Sequence, residues 1–179
     1  YDRSVLVDVT TSTVLHNMVM GVALVFLIQW LFLGDLRSAL IVSATIPFAL
    51  LFAVVILVMS GESANLLSMG AIDFGIIVDA TVIMVENIFR HLAEASAGHA
   101  RPAGFAAPRG FSSKQATIFQ ASSEVTQAIF FSATIIIAGF LPLFTLSGVE
   151  GHIFGPMART YAYALSGGLL ATFTVSPAL

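Results

Sequence analysis

The sequence predicts an all-α membrane protein, a polytopic helical bundle with five transmembrane helices, and three observations lead there. Of its 179 residues 58% are hydrophobic and only 9% are charged, whereas soluble domains are about 25% charged. The mean hydropathy of +0.96 means more apolar surface than a soluble fold of this length can hide, so the solvent is a lipid bilayer. The apolar residues also gather into five stretches, each close to the roughly 20 residues a helix needs to cross the hydrocarbon core. Cysteine is absent, which excludes disulfides and thiolate metal sites.

Taken in order, residues 1–13 end an outward-facing segment. The first helix, 14–33, holds "VALVFLIQWLFL" with Trp30 as an interfacial anchor near its end. It stops at the short turn Gly34-Asp35-Leu36-Arg37. The second, 38–59, carries Pro47 mid-span, a kink that neighbouring helices can accommodate, and ends at Ser60-Gly61-Glu62. The third, 65–89, is unusually acidic. Residues 90–124 form a Gly/Pro/Ala-rich loop, "ASAGHARPAGFAAPRG", followed by a helical stretch over 112–124 expected along the membrane surface. The fourth span, 125–146, has Gly139 and Pro142 as a bend near its far end, and the fifth, 155–178, contains Gly167-Gly168, small residues that let another helix approach closely.

Arg37, Arg90, Arg101, Arg109 and Lys114 fall on one side of this arrangement, and only Arg3 and Arg159 on the other. The positive-inside rule therefore places the 34–37 turn and the 90–124 loop in the cytoplasm. The chain opens on Tyr1 and closes within the apolar run "ATFTVSPAL", so it is expected to be an internal piece of a longer protein.

The third helix holds the chemistry. "GAIDFGIIVDATVIMVEN" carries Asp73, Asp79 and Glu86 inside a membrane span. An aspartate at the centre of such a helix costs about 2.5–3.5 kcal/mol to insert, and residues of this kind line ion or proton pathways. On a helix, Asp73 and Asp79 lie about 9 Å apart along the axis and about 120° apart around it. Asp79 and Glu86, seven residues apart, share a face, and Arg90 continues it. The spacing of Glu86 and Arg90 suits an i,i+4 ion pair, a structural role that competes with a functional one for Glu86. Desolvation and moving charges both act on a mid-membrane carboxyl, which can therefore take a proton from one side and release it to the other.

These residues carry a family resemblance. "GAIDFGIIVDATVIMVENIFR" resembles the fourth-helix signature of the resistance-nodulation-division (RND) exporters, heavy-metal efflux branch, approximately D-F-G-x-x-V-D-G-x-x-x-x-V-E-N. "FLIQWLFLGDLRSALIVSATIPFALL" is similar to the second and third helices of that family, and "GFLPLFTLSGVEGHIFGPMARTYAYAL" to its fifth and sixth. The resemblance implies the fold of transmembrane helices 2–6 of an RND pump in the bacterial inner membrane, with its outer side in the periplasm. It implies a proton relay of Asp79 (the central carrier), Asp73 (the extra aspartate of divalent-cation members) and Glu86. It further implies a secondary active transporter rather than an enzyme, a homotrimer exchanging protons for heavy-metal cations, working with a periplasmic adaptor and an outer-membrane channel. Metal-selecting residues, and the lysine that pairs with the relay, are expected elsewhere in such a pump. No cofactor and no nucleic-acid partner are expected. The sequence departs from the pattern at Ala80 (commonly Gly), Thr81 (usually small and apolar) and Thr126-Gln127 (often Arg-Pro).

The multidrug branch of the same superfamily is the main alternative. Its signature carries two adjacent aspartates, whereas here Ala80 follows Asp79 and Asp73 sits six residues earlier. An intramembrane aspartyl protease is a remote one, because its two carboxyls must lie about 3 Å apart and no other span offers a central aspartate. Asp73-Phe74-Gly75 matches a protein-kinase tripeptide without the other kinase motifs. His16, His91, His99 and His152 are scattered, with His91 and His99 expected to be solvated in the basic loop. No metal-ligating set is assigned.

Overall fold

The computed structural model describes residues 3–61, 74–97 and 112–178. They form five helices: α1 (Arg3–Leu33), α2 (Leu36–Met59), α3 (Phe74–Ser96), α4 (Ser113–Phe144) and α5 (Gly148–Ala178). No strand occurs among the described residues. Among the described residues, three helices are long and apolar enough to cross a membrane: α1 from Val7, α2 and α4. The expected all-α membrane bundle is thus the observed architecture.

Local sequence explains the helix ends. No glycine or proline interrupts Arg3 to Met20, so α1 begins well before residue 14, where hydropathy alone starts the span. Its C-terminus is closed by Gly34, at φ 67°, whose N–H donates to the Trp30 carbonyl at 2.9 Å, the left-handed cap that glycine adopts without penalty. Asp35 then caps α2. One carboxylate oxygen accepts the Ser38 N–H at 2.9 Å and the Ser38 hydroxyl at 2.6 Å. The Ser38 hydroxyl first, and its N–H second, hold the Asp35 carboxyl below its ordinary range.

The stretch 112–146 differs from its expected form. In place of a surface helix followed by a separate span, α4 is one rod from Ser113 to Phe144, about 48 Å long at 1.5 Å per residue. A reciprocal capping box starts it: Gln115 N–H donates to the Ser112 hydroxyl, and Ser112 N–H donates to the Gln115 side chain. No glycine or proline follows until Gly139, and Gln127, where the family often has proline, leaves the helix intact. Similarly, α3 continues to Ser96 rather than stopping at residue 89.

Asp35, Arg37 and Ser38, Leu92 and Ser96, Ser112 and Lys114, and Ala178 all border one cavity of about 650 Å³ at a single end of the bundle. The helices therefore alternate in direction, and the basic residues Arg37 and Lys114 share that end.

The broadest interface joins α2 to α5, while α3 packs against every other helix. Val42 and Ile46 of α2 meet Val78 and Val85 of α3, with Met18 and Val22 of α1 against them. Ala49 and Ala53 of α2 meet Ile77 of α3 and Ala164 of α5, and Met84 and Ile88 of α3 meet Ala121 and Ile129 of α4. The close approach expected at Gly167-Gly168 is present. A methyl group on Gly167 would lie 2.7 Å from the Phe52 ring, and one on Gly168 would lie 3.2 Å from the Ile77 carbonyl oxygen. Outside this core, Leu31, Phe32, Leu51, Val58 and Ile135 stand exposed, a surface matched to lipid rather than water.

Gly168→Ala should lower the stability of the complete protein by about 1–3 kcal/mol. Gly139→Ala, whose new methyl meets nothing within 4 Å, should stay within about 0.5 kcal/mol; thermal unfolding in detergent measures both. Asp35→Ala should cost about 1 kcal/mol by loss of the cap. Because the folded Asp35 carboxyl titrates below its ordinary value of 3.8, this contribution is complete above that pH and disappears as the pH falls through the lower folded value. Unfolding of wild type and variant as a function of pH should converge in acid.

Candidate functional site

The most amphipathic of the five helices is α3. Ile77, Val78, Thr81, Met84, Val85, Asn87 and Ile88 are buried against neighbouring helices, while Asp79, Ile83, Glu86 and Arg90 form an exposed stripe. Their spacings of four, three and four residues keep them on one helical face. Asp79 and Glu86 are therefore brought to one side of one helix, as their seven-residue separation requires. Asp73 lies outside the described residues.

Asp79 opens into a cavity of about 170 Å³ between α3, α4 and α5. Its walls are apolar: Ile76, Ala80, Val82 and Ile83 from α3, Ile129, Ala133 and Ile136 from α4, and Leu165 from α5. Ser132 of α4 is the other polar residue lining it. These residues fall near the midpoints of α4 and α5, at the depth expected for a group inside the span. Among the described residues, Asp79 is in no ion pair. Among the described residues, this carboxyl thus borders a mostly apolar cavity without a cation paired to it.

The buried face of α3 is held by polar contacts as well as by packing. Thr81 and Thr172, both fully buried, have their hydroxyl oxygens 2.7 Å apart. The Thr172 proton is given to the Gly168 carbonyl at 2.8 Å, so Thr81 is the donor between them. Thr81, a departure from the family pattern, thus has a dedicated partner on α5. Asn87 donates to the Ala121 carbonyl of α4 at 2.8 Å, and Arg90 donates to the Asn87 side-chain oxygen at 2.8 Å.

That last bond corrects one expectation. Arg90 turns to Asn87 rather than forming the i,i+4 pair with Glu86, because the buried amide presents a fixed acceptor beside it. His91 corrects a second. It belongs to α3, is only 12% exposed, and its Nε2 lies 3.0 Å from Glu124 Oε2 of α4, so it is not a solvated loop residue. Gln120 supports the same carboxylate at 3.4 Å. His16, Glu150 and His152 are exposed, and no group of three or more His, Asp or Glu side chains gathers among the described residues.

An apolar-surfaced helical bundle carrying a carboxyl on the exposed stripe of one of its helices, beside an apolar cavity, defines a membrane protein with a polar site along its helices. The sequence profile of the AcrB/AcrD/AcrF family matches residues 1–179, and the chain belongs to that family, the RND exporters its motifs resemble. It is 43% identical over 178 residues to the cobalt-zinc-cadmium resistance protein CzcA of Cupriavidus metallidurans, covering 99% of this chain and 16% of that protein. It is 36% identical over 181 residues to the cation efflux system protein CusA of Escherichia coli, covering 100% of this chain and 17% of that one. A crystal structure of a heavy metal efflux pump matches with a TM-score of 0.78 and 39% identity, over 99% of this chain and 16% of that one. The chain therefore spans about a sixth of the length of these relatives.

Replacing Asn87 by Leu removes the α3–α4 clasp and the acceptor for Arg90. The complete protein should lose about 1–2 kcal/mol of stability, in the range of polar contacts between membrane helices. Thermal unfolding checks the loss, and crosslinking between cysteines introduced on α3 and α4 should weaken in parallel.

Proposed function

We propose that this chain forms part of a proton-driven exporter of heavy-metal cations, a secondary antiporter rather than an enzyme, with Asp79 as the central proton carrier. The observation that carries the reading is the position of Asp79: within a membrane bundle, on the exposed stripe of an amphipathic helix, opening into an apolar recess and unpaired among the described residues. A carboxyl placed so can bind and release a proton as its surroundings change, and mid-membrane carboxylates serve that role in pumps. The names of the relatives, a cobalt-zinc-cadmium resistance protein and a cation efflux protein, support metal cations over the hydrophobic compounds of the multidrug alternative.

Glu86 joins the relay in this reading. With Arg90 bound to Asn87, its carboxylate has no ion-pair partner among the described residues. Asp73 is assigned to the relay on the family resemblance. The working assembly is a homotrimer in the inner membrane, joined to a periplasmic adaptor and an outer-membrane channel, with the basic end of the bundle in the cytoplasm.

In the complete pump reconstituted in proteoliposomes under a proton gradient, Asp79→Asn should reduce metal efflux by at least about 100-fold, the scale of a lost proton-transfer group, while the protein still assembles. Near-normal efflux would refute the role of Asp79. Glu86→Gln should slow efflux by a smaller factor; wild-type rates would remove Glu86 from the relay.

A further inference from the structure

We propose that His91 of α3 and Glu124 of α4 form a protonation-dependent clasp, which draws these two helices together when the basic end of the bundle meets acid. His91 is only 12% exposed, and its Nε2 lies 3.0 Å from Glu124 Oε2. The second oxygen of the same carboxylate accepts from the Gln120 amide at 3.4 Å, so both oxygens of Glu124 have partners and the group is held facing α3. Helical side chains lean towards the N-terminus of their own helix. In the antiparallel pair α3 and α4, His91 and Glu124 therefore lean towards each other's level and meet. One turn earlier on α3, Asn87 donates to the Ala121 carbonyl of α4 at 2.8 Å. The two contacts tie the same pair of helices but differ in kind. An amide carries no charge at any pH, whereas histidine changes its charge between about pH 5 and 8.

The other charged groups at this end are engaged or placed elsewhere. On α3 itself, Arg90 is turned to Asn87, and Glu86 and Glu94 are exposed. Lys114 of α4, Arg37 of α2 and its cap Asp35 border the cavity of about 650 Å³, which neither His91 nor Glu124 lines. From Asn17 to Leu33 in α1 and from Ala164 to Ala178 in α5 the sequence holds no titratable side chain. With His91 protonated, the contact to Glu124 is a charge-assisted hydrogen bond, about twice as strong as the neutral one left when the proton is gone. Glu124 is 43% exposed, so solvent screens the pair and its pull is moderate. The hydrogen ion is the only species gained or lost. The consequence for transport rests on the reading of Asp79 as proton carrier with the basic end in the cytoplasm. A carrier on α3 works only if its surroundings change during the cycle, so a tightened clasp restrains α3 when protons accumulate inside. It is a brake on an exporter that brings protons inward.

The test uses the complete transporter in lipid vesicles, with spin labels on Ala95 of α3 and Ser113 of α4, both exposed, and their separation read by electron paramagnetic resonance. From about pH 8 to about pH 5.5, across the histidine range, the wild type should shift about two- to fivefold towards the shorter separation, the equilibrium equivalent of a part-exposed ion pair. H91R, charged throughout, should hold the shorter separation at both ends of the range, and H91Q and E124Q the longer one. A wild-type separation indifferent to pH, or one that still responds in H91Q, overturns the clasp. Metal flux is followed separately at a fixed proton gradient, with the pH on both sides lowered together. H91Q should outpace the wild type by about two- to fivefold at the acid end and match it at the alkaline end. Equal pH profiles for the two overturn the brake. Efflux retained in D79N would instead remove Asp79 from its role while the helix separation still answered to pH, so the two failures are told apart.

Discussion

A carboxyl inside a membrane bundle is useful only if the helix bearing it cannot turn, because rotation by a single residue, about 100°, would carry Asp79 from its recess to a different neighbour. The azimuth of α3 is therefore the constraint on which the rest of the structure depends. Three contacts on its far side fix it. Gly168 lets α5 come so close to Ile77 that a methyl group would not fit without displacement. The Thr81 hydroxyl meets Thr172 at 2.7 Å. Six residues on, Asn87 reaches the Ala121 carbonyl of α4. The steric contact sets the depth of approach, and the two hydrogen bonds, to different helices, set rotation and register. Polar bonds between membrane helices are individually modest, averaging about 0.6 kcal/mol, so it is their placement on opposite flanks of α3 that gives them leverage.

Much of this was legible in the sequence. Five helices, the Gly34-Asp35 turn, the close approach at Gly167-Gly168 and the shared face of Asp79 and Glu86 all follow from local rules, because helical periodicity and glycine chemistry act over a few residues. The bonds that orient α3 were not legible. Asn87 finds a backbone carbonyl on α4, and a carbonyl carries no sequence signature. Arg90 had a plausible local partner in Glu86, and tertiary structure gave it a different one, since the buried Asn87 amide is held in place while Glu86 lies exposed. His91 looked like a loop residue because hydropathy falls after residue 89, yet the helix runs on and seats it against Glu124. The unbroken α4 was missed for the same reason, since a change in polarity was read as a break although no glycine or proline marks one. A signal for Thr81 and Thr172 did exist: a hydroxyl where the family pattern is apolar asks for a partner, and Thr172 is a buried hydroxyl on the adjacent helix.

The position of α3 in the bundle also sets what its exposed stripe requires. It touches every other helix. In its exposed stripe, Asp79, Glu86 and Arg90 stand where a lipid-facing helix would carry leucine or phenylalanine, as α1 does with Leu31 and Phe32. Charged side chains at membrane depth face protein or water rather than hydrocarbon, so this stripe requires a cover that lipid cannot supply. Its opposite, buried face is already matched by α2, α4 and α5. The helix is thus anchored along one side and polar along the other, with Asp79 and Glu86 on the polar side.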